Sequence, residues 1–410
     1  VILSSCKTRK NDTADQVVIP PAEVKTPEKA IQNYSIVDGM NLFAFEMYKE
    51  IAESKNQVFS PFSISTALAM TYAGAKGNTK KEFIEVMHFQ EDQQAFNSAF
   101  HQIISDIESA QNKDLQLSIA NALWPQSGYS FLEEYLQQMK SFYGVDVQSL
   151  DYKTDPEKAR LIINKWVEEK TQDKIKNLLK EGVLSPLTRM VLTNAIYFKG
   201  NWKYEFNKDD TNKDGVFYLN KTEEVKAEMM NITKPAIKHM QNEDFSMLEL
   251  PYSNDSLSMV FILPNEKDGI KKLEDKLSYD MYKQAYNQMQ KRKVVISIPK
   301  FTMEFEIDLE KKFEKMGMTD AFSGKADFSG MTGKKDLQID KVIHKAFIEV
   351  NESGTEAAAA TAVVMIEKSS AVPNKPSLYY FIADHPFLYL IKDNQNGAIL
   401  FMGKLMLPKS

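Results

Sequence analysis

By residue type, the groups in this 410-residue chain that could do chemistry are five histidines, one cysteine and two glycine–lysine turns. His88, His101, His239, His344 and His385 never fall at H-E-x-x-H or a related spacing, so no pair of them meets on one helix face around a metal ion. Cys6 is too remote in sequence to complete a zinc set and, being single, leaves no intrachain disulfide. No G-x-S-x-G elbow presents a serine nucleophile. Gly74-Ala-Lys-Gly77 and Gly330-Met-Thr-Gly-Lys-Lys335 are only faintly like phosphate cradles. The first lacks a third glycine and a preceding strand. The second has the wrong spacing and no Ser or Thr after the lysine, so both read as turns. Glu304, Glu306 and Asp308 alternate along a strand pattern and share one solvated face, which is not an acid–base pair. The chain is expected not to be an enzyme and to use neither metal nor cofactor.

Charge narrows the partners. With 51 basic and 56 acidic residues the net charge is −5, the wrong sign for a dedicated nucleic-acid binder. Lys291-Arg292-Lys293 reads as a solvated strand end, and Lys80-Lys81 is too little for a polyanion site. No apolar run is long enough for a transmembrane helix.

The elements that position everything else follow from periodicity. Met40, Phe43, Ala44, Met47, Tyr48 and Ile51 form one helical face. A second helix opens at Pro61 after Ser60, carrying Ile64, Ala67, Leu68 and Thr71, and a third is expected through LIINKWVEEKTQDKIKNLL, with Ile163, Trp166, Val167 and Lys170 on successive turns. Phe301 to Leu309 alternates as a half-buried strand, and Leu257 to Leu263 is a continuous apolar strand buried on both faces. Near the end, FLYLI and AILFMGKLML flank Asp393-Asn-Gln-Asn-Gly397, a hairpin signature. The fold class is α+β with large antiparallel sheets. Residues 1–33 read as a signal remnant followed from Lys7 by a polar, flexible tether carrying Pro20, Pro21 and Pro27, and 34–410 as a single domain and a monomer.

One stretch fits no ordinary element. GTEAAAATAVVMIEKSSAVP, from Gly354 to Pro373, joins four alanines, the best helix formers, to a β-branched run that prefers extended backbone. Around it lie Asn56-Gln-Val-Phe-Ser-Pro-Phe-Ser-Ile-Ser-Thr-Ala-Leu-Ala-Met70, Gly74-Ala-Lys-Gly-Asn-Thr79, Leu192-Thr-Asn-Ala-Ile-Tyr-Phe-Lys-Gly-Asn-Trp202, Ile298-Pro-Lys-Phe301, Asp384-His-Pro-Phe387 and Gly397 to Pro408. In content and order these segments resemble the serpins, serine protease inhibitors, over residues 34–410. The resemblance implies three β-sheets, eight to nine helices and an exposed reactive-centre loop at about 352–373. A protease would attack this loop, and the cut loop would then insert as a new strand in the main sheet and trap the acyl-enzyme. The hinge maps onto Glu352, Gly354, Thr355, Glu356, Ala357, Ala358, Ala359 and Ala360, and the family's spacing puts the reactive bond at Lys368–Ser369. Lys368 suits trypsin-like enzymes. Met365 or Ile366 are alternative cleavage positions for elastase- or subtilisin-like enzymes, and cysteine proteases stay open as a second class. Glu367 departs from the pattern and would disfavour proteases whose adjacent subsite is acidic or apolar. By the same match Ser60, Ser63, Asn194 and His344 form the shutter beneath the sheet, and Trp202 and Lys300 the breach at its top, with Glu352 as ionic partner of Lys300.

Read with a period of two, Thr355, Ala357, Ala359, Thr361, Val363 and Met365 share one uncharged face, small at its start, that can slide into a sheet. Glu356 falls on the other face. The stretch is thus expected to be a loop first and a strand after cleavage. Val1-Ile2-Leu3-Ser4-Ser5 before Cys6 resembles the end of a lipoprotein signal, which points to a lipid anchor on Cys6 as the only membrane contact and to a bacterial envelope or secreted location. Two rival readings are a non-inhibitory serpin and a surface lipoprotein that binds through a static face.

Overall fold

A computed structural model describes residues 35–145, 147–355 and 378–408, all of which lie in one compact unit, Asn33–Ser410. The first helix, α1 (Ile36–Ile51), starts where the Ser35 side chain accepts the amide of Asp38, and it buries the face its periodicity predicts. In α2 (Pro61–Tyr72) the Ser60 hydroxyl caps the amide of Ser63 and Pro61 occupies the first turn. Every residue of α2 is buried, its non-aromatic polar side chains being only the small hydroxyls of Ser63, Ser65, Thr66 and Thr71. The remaining helices are α3 (Gly77–Met87), α4 (Gln93–Ser109), α5 (Glu133–Tyr143), α6 (Pro156–Lys170), α7 (Ile270–Lys276), α8 (Tyr279–Asn287), α9 (Glu310–Met316) and α10 (Ser329–Thr332). The described residues thus hold ten α-helices against the eight or nine expected, and α10 is a single turn ended by Gly333 at φ 78°. No helix among them is long and apolar enough to cross a membrane.

Fourteen strands follow: β1 (Gln57–Phe59), β2 (Leu115–Pro125), β3 (Met190–Asn201), β4 (Asn212–Tyr218), β5 (Glu224–Gln241), β6 (Phe245–Pro251), β7 (Leu257–Pro264), β8 (Gln290–Pro299), β9 (Phe301–Asp308), β10 (Lys341–Asn351), β11 (Gly354–Thr355), β12 (Leu378–Ile382), β13 (Phe387–Asp393) and β14 (Ile399–Leu405). Among the described residues they form two sheets where three were expected. The nine-stranded sheet runs β1-β14-β13-β7-β6-β5-β8-β12, with β4 added on β5. Its size comes from β5, an 18-residue strand whose first half pairs with β4 and whose last residues pair with β6. A register shift between Lys234 and Ile237, with Ala236 at φ 63°, bends the strand without ending it, so two expected sheets share one backbone. The β13–β14 hairpin turns as the sequence predicts, with the Asp393 carboxylate accepting the amides of Gln395 and Asn396 and Gly397 at φ 84°.

The five-stranded sheet, β2-β3-β11-β10-β9, positions the site. Its centre is unusual. β3 and β10 pair directly and in parallel from Val191–Tyr197 against Lys341–Phe347, while the two residues of β11 lie between them further along and pair antiparallel with both. One face of this sheet, through Ala120, Ala122, Trp124, Ala195 and Ile343, packs with Ile163 and Val167 of α6 in a small apolar cluster. The other face joins α1, α2 and the nine-stranded sheet in the main core.

Candidate functional site

A polar row crosses the buried face of the five-stranded sheet. Asn121 of β2, Asn194 of β3 and His344 of β10 are successive cross-strand partners, so register alone lines them up. All are buried, as are Ser60 and Ser63 at the start of α2, which points into the row. Asn194 Nδ2 donates to Ser63 Oγ at 2.9 Å and to Asn121 Oδ1 at 3.0 Å. Ser63 Oγ donates to Asn121 Oδ1 at 2.9 Å, and Asn121 Nδ2 to the Ser63 carbonyl at 2.9 Å. Ser60 Oγ caps α2 and donates to the Leu400 carbonyl at 2.6 Å, which ties the row to the other sheet. The backbone amide of Ser60 donates to His344 Nε2 at 3.0 Å. That bond fixes the tautomer: Nε2 must be bare, so Nδ1 carries the proton and donates to Asn194 Oδ1. Burial pushes the His344 pKa down to about 3, which keeps the ring neutral as the geometry requires. The structure therefore gathers the four predicted shutter residues into one network. Asn121 completes it and was missed. Its only signal in the sequence was a lone amide inside an otherwise apolar strand run, Ser118-Ile-Ala-Asn-Ala-Leu-Trp124.

At the other end of the β3–β10 seam the predicted breach closes around the hinge. Trp202 Nε1 donates to the Asn351 carbonyl at 3.0 Å and its backbone amide to the Ser353 carbonyl at 2.8 Å. Lys300 pairs with Glu228 at 2.7 Å and with Glu352 at 3.4 Å, the partner expected from the sequence. Burial alone would lower the Lys300 pKa, but the two carboxylates outweigh it and hold the ammonium above its ordinary value. Glu352 also accepts from Thr211 Oγ1 at 3.0 Å, and its carbonyl accepts the amide of Phe206 at 2.8 Å. Gly354 has φ 155°, and a Cβ there would stand 2.0 Å from the Gly200 carbonyl oxygen, so only glycine lets the hinge lie this close to β3. Thr355 is fully buried on the inward face, as the period of two predicts, and its hydroxyl lies 2.9 Å from that of Tyr252. Thr211, Phe206 and Tyr252 carried no sequence signal, because they reach the hinge from far along the chain.

Cys6, Glu356, Ala357, Ala358, Ala359, Ala360, Met365, Ile366, Glu367, Lys368 and Ser369 lie outside the described residues.

Against known proteins the chain matches the family described as serpin (serine protease inhibitor) over residues 38–408. It is 42% identical over 379 residues to an uncharacterized serpin-like protein of Thermococcus kodakarensis, covering 92% of this chain and 87% of that one. Identity to serpin B3 of Homo sapiens is 38% over 396 residues, covering 91% of this chain and 100% of the relative. Among solved structures it is similar to uncleaved ovalbumin, with a TM-score of 0.81, 30% identity, and coverage of 92% of this chain and 100% of that one. The family match over residues 38–408, with relatives and a solved structure alike over about nine-tenths of the chain, makes this chain a member of the serpin family.

Proposed function

We propose that the protein is a suicide-substrate inhibitor of serine proteases, cut at Lys368–Ser369, with trypsin-like enzymes as the favoured targets. The protease serine attacks the Lys368 carbonyl, the amide to Ser369 breaks, and the acyl-enzyme ester stays on Lys368 while the new amine leaves on Ser369. The chain beyond Thr355 then runs down the seam between β3 and β10, antiparallel to both, and carries the protease with it.

The observation that supports this most is the seam itself. The first two residues of a central strand, Gly354 and Thr355, are in register with Gly200, Asn201, Val350 and Asn351, and the rest of the place is held shut by one parallel ladder. Insertion exchanges that parallel ladder for two antiparallel ones, and parallel pairing is the weaker per residue. Together with two faces of small and β-branched side chains, this gives a downhill course once the loop is cut. The shutter suits the same event, because two hydroxyls, two amides and an imidazole can exchange partners as β3 and β10 part.

The test is to mix the protein with trypsin and analyse the products by denaturing electrophoresis and mass spectrometry. A covalent species at the summed mass with a released peptide beginning at Ser369 is expected. Complete cleavage at Lys368 with no covalent species would instead favour a non-inhibitory substrate. We add to this reading lipid anchoring through Cys6 at a bacterial envelope, for which the lipoprotein-like residues before Cys6 are the support. The mass of the N-terminal peptide from native membranes checks it, and an unmodified Cys6 would remove it.

A further inference from the structure

The hinge is held from beneath by a residue just past the end of β6. Tyr252 follows β6 and is bridged to Trp202, and its fully buried ring lies parallel to the indole at 4.7 Å and edge-on to Phe198 at 5.0 Å. A Cβ on Gly200 would come within 2.9 Å of Cδ1 of this ring, so the glycine lets the tyrosine lie directly against β3. Gly200 is also the cross-strand partner of Thr355. The Tyr252 hydroxyl therefore emerges under the β3–β11 pair, where its one hydrogen-bond partner among the described residues is Thr355 Oγ1, at 2.9 Å. Thr355 Oγ1 likewise bonds only to Tyr252 among them. If the hinge withdraws, both hydroxyls lose this partner and the tyrosine is left buried without one, which is costly.

We propose that Tyr252 is a positioning residue for loop insertion: it latches Thr355 between β3 and β10, so that the new strand is already started when the loop is cut. This rests on the reading of the loop as an inserting strand. Starting a strand orders several residues against two neighbours at once, whereas extending it adds one residue at a time beside fixed ones, so a held start removes the slow part of the ordering. The latch acts in the uncut protein, where one hydrogen bond of ordinary strength biases the hinge toward the sheet by about fivefold. After cleavage it speeds insertion relative to hydrolysis of the acyl-enzyme.

The test uses the intact, uncut protein. Tyr252→Phe keeps the ring on Trp202 and loses the hydroxyl, Thr355→Val keeps the shape of the hinge residue, and Thr355→Ser keeps its hydroxyl. Amide hydrogen exchange in the peptides containing Gly200 and Thr355 is expected to quicken about fivefold in Tyr252→Phe and in Thr355→Val. It should quicken no further in the double variant and return to wild-type rates in Thr355→Ser. Unchanged exchange in Tyr252→Phe, effects that multiply in the double variant, or failure of serine to rescue would overturn the latch. With trypsin, Tyr252→Phe should also consume more inhibitor per enzyme trapped. If the wild-type protein forms no covalent complex with trypsin or subtilisin, the trapping reading fails, and the exchange rates still decide whether Tyr252 holds the hinge.

Discussion

Asn194 makes the shutter legible as chemistry. Its amide donates to Ser63 and Asn121 while its carbonyl accepts from His344, so one side chain satisfies three buried partners. Asn194→Ala strands those partners in a dry interior and is expected to cost about 2–4 kcal/mol, read as a lower urea midpoint. A second buried imidazole behaves differently. His239 on β5 lies under Tyr379 and Phe381 of β12, and neither ring nitrogen has a hydrogen-bond partner among the described residues. Burial first, and then the charge of Arg292, lowers its pKa to about 4. Both histidines thus bind their proton less readily folded than unfolded, where the value is about 6.5. The unfolded chain therefore holds more protons as pH falls below about 6.5, and stability is full above that pH and declines beneath it. Urea midpoints should drop between pH 7 and pH 5, before most carboxylates titrate, and His239→Phe should flatten part of that slope. At this scale Ser60, Ser63, Asn194, Trp202 and Lys300 could be placed from the sequence because each sits in one of the quoted motifs, and His344 by the family match alone. Asn121, Thr211 and Tyr252 could not, since what defines them is a cross-strand register or a contact with the hinge across 103 or 141 positions of chain.

Among the elements, α6 shows why periodicity misjudges an end. The apolar spacing continues through Ile175, Leu178 and Leu179, which pack in the same cluster as Ile163 and Val167, so the pattern reads as one long helix. The backbone stops at Lys170, where Thr171 Oγ1 turns back to the Val167 carbonyl and Gln172, Asp173 and Asn177 take positive φ. Burial, not helicity, produced the repeat. The alternating strand β9 and the hairpin β13–β14 read correctly because a period of two with a Gly-containing turn has no helical imitation. β11 was legible only as a hinge, and its two residues have the sharpest requirements. Gly354→Ala would drive a methyl group into the Gly200 carbonyl and expel the strand. Thr355→Arg would put a charge in a fully buried place. Either variant, mixed with trypsin, is expected to give cleaved protein in place of covalent complex, so that gel densitometry shows the trapped fraction falling severalfold. An undiminished trapped fraction in both would mean that the hinge enters the sheet by another register.

For the molecule as a whole, the two sheets differ: the nine-stranded one is a continuous open framework, and the five-stranded one keeps a seam. Cleavage in the loop should therefore raise the thermal midpoint, because a parallel ladder gives way to two antiparallel ones while the framework stays as it is. Differential scanning calorimetry before and after a limited cut between 356 and 369 measures this, and a lower midpoint after cutting would contradict the seam as the store of energy. The framework has an assembly order of its own. β1, near residue 58, pairs with β14, near residue 403, and the Asn56 side chain accepts the amides of Met406 and Leu407. β14 also separates β1 from β13, so this edge of the larger sheet cannot be completed until nearly all of the domain has left the ribosome. By then β3 and β10 have been synthesised, and so has the stretch of chain between β11 and β12. If that stretch inserts as proposed above, the seven parallel pairs between β3 and β10 must form before it does, and they would then act as a kinetic guard during birth, well before any protease is met.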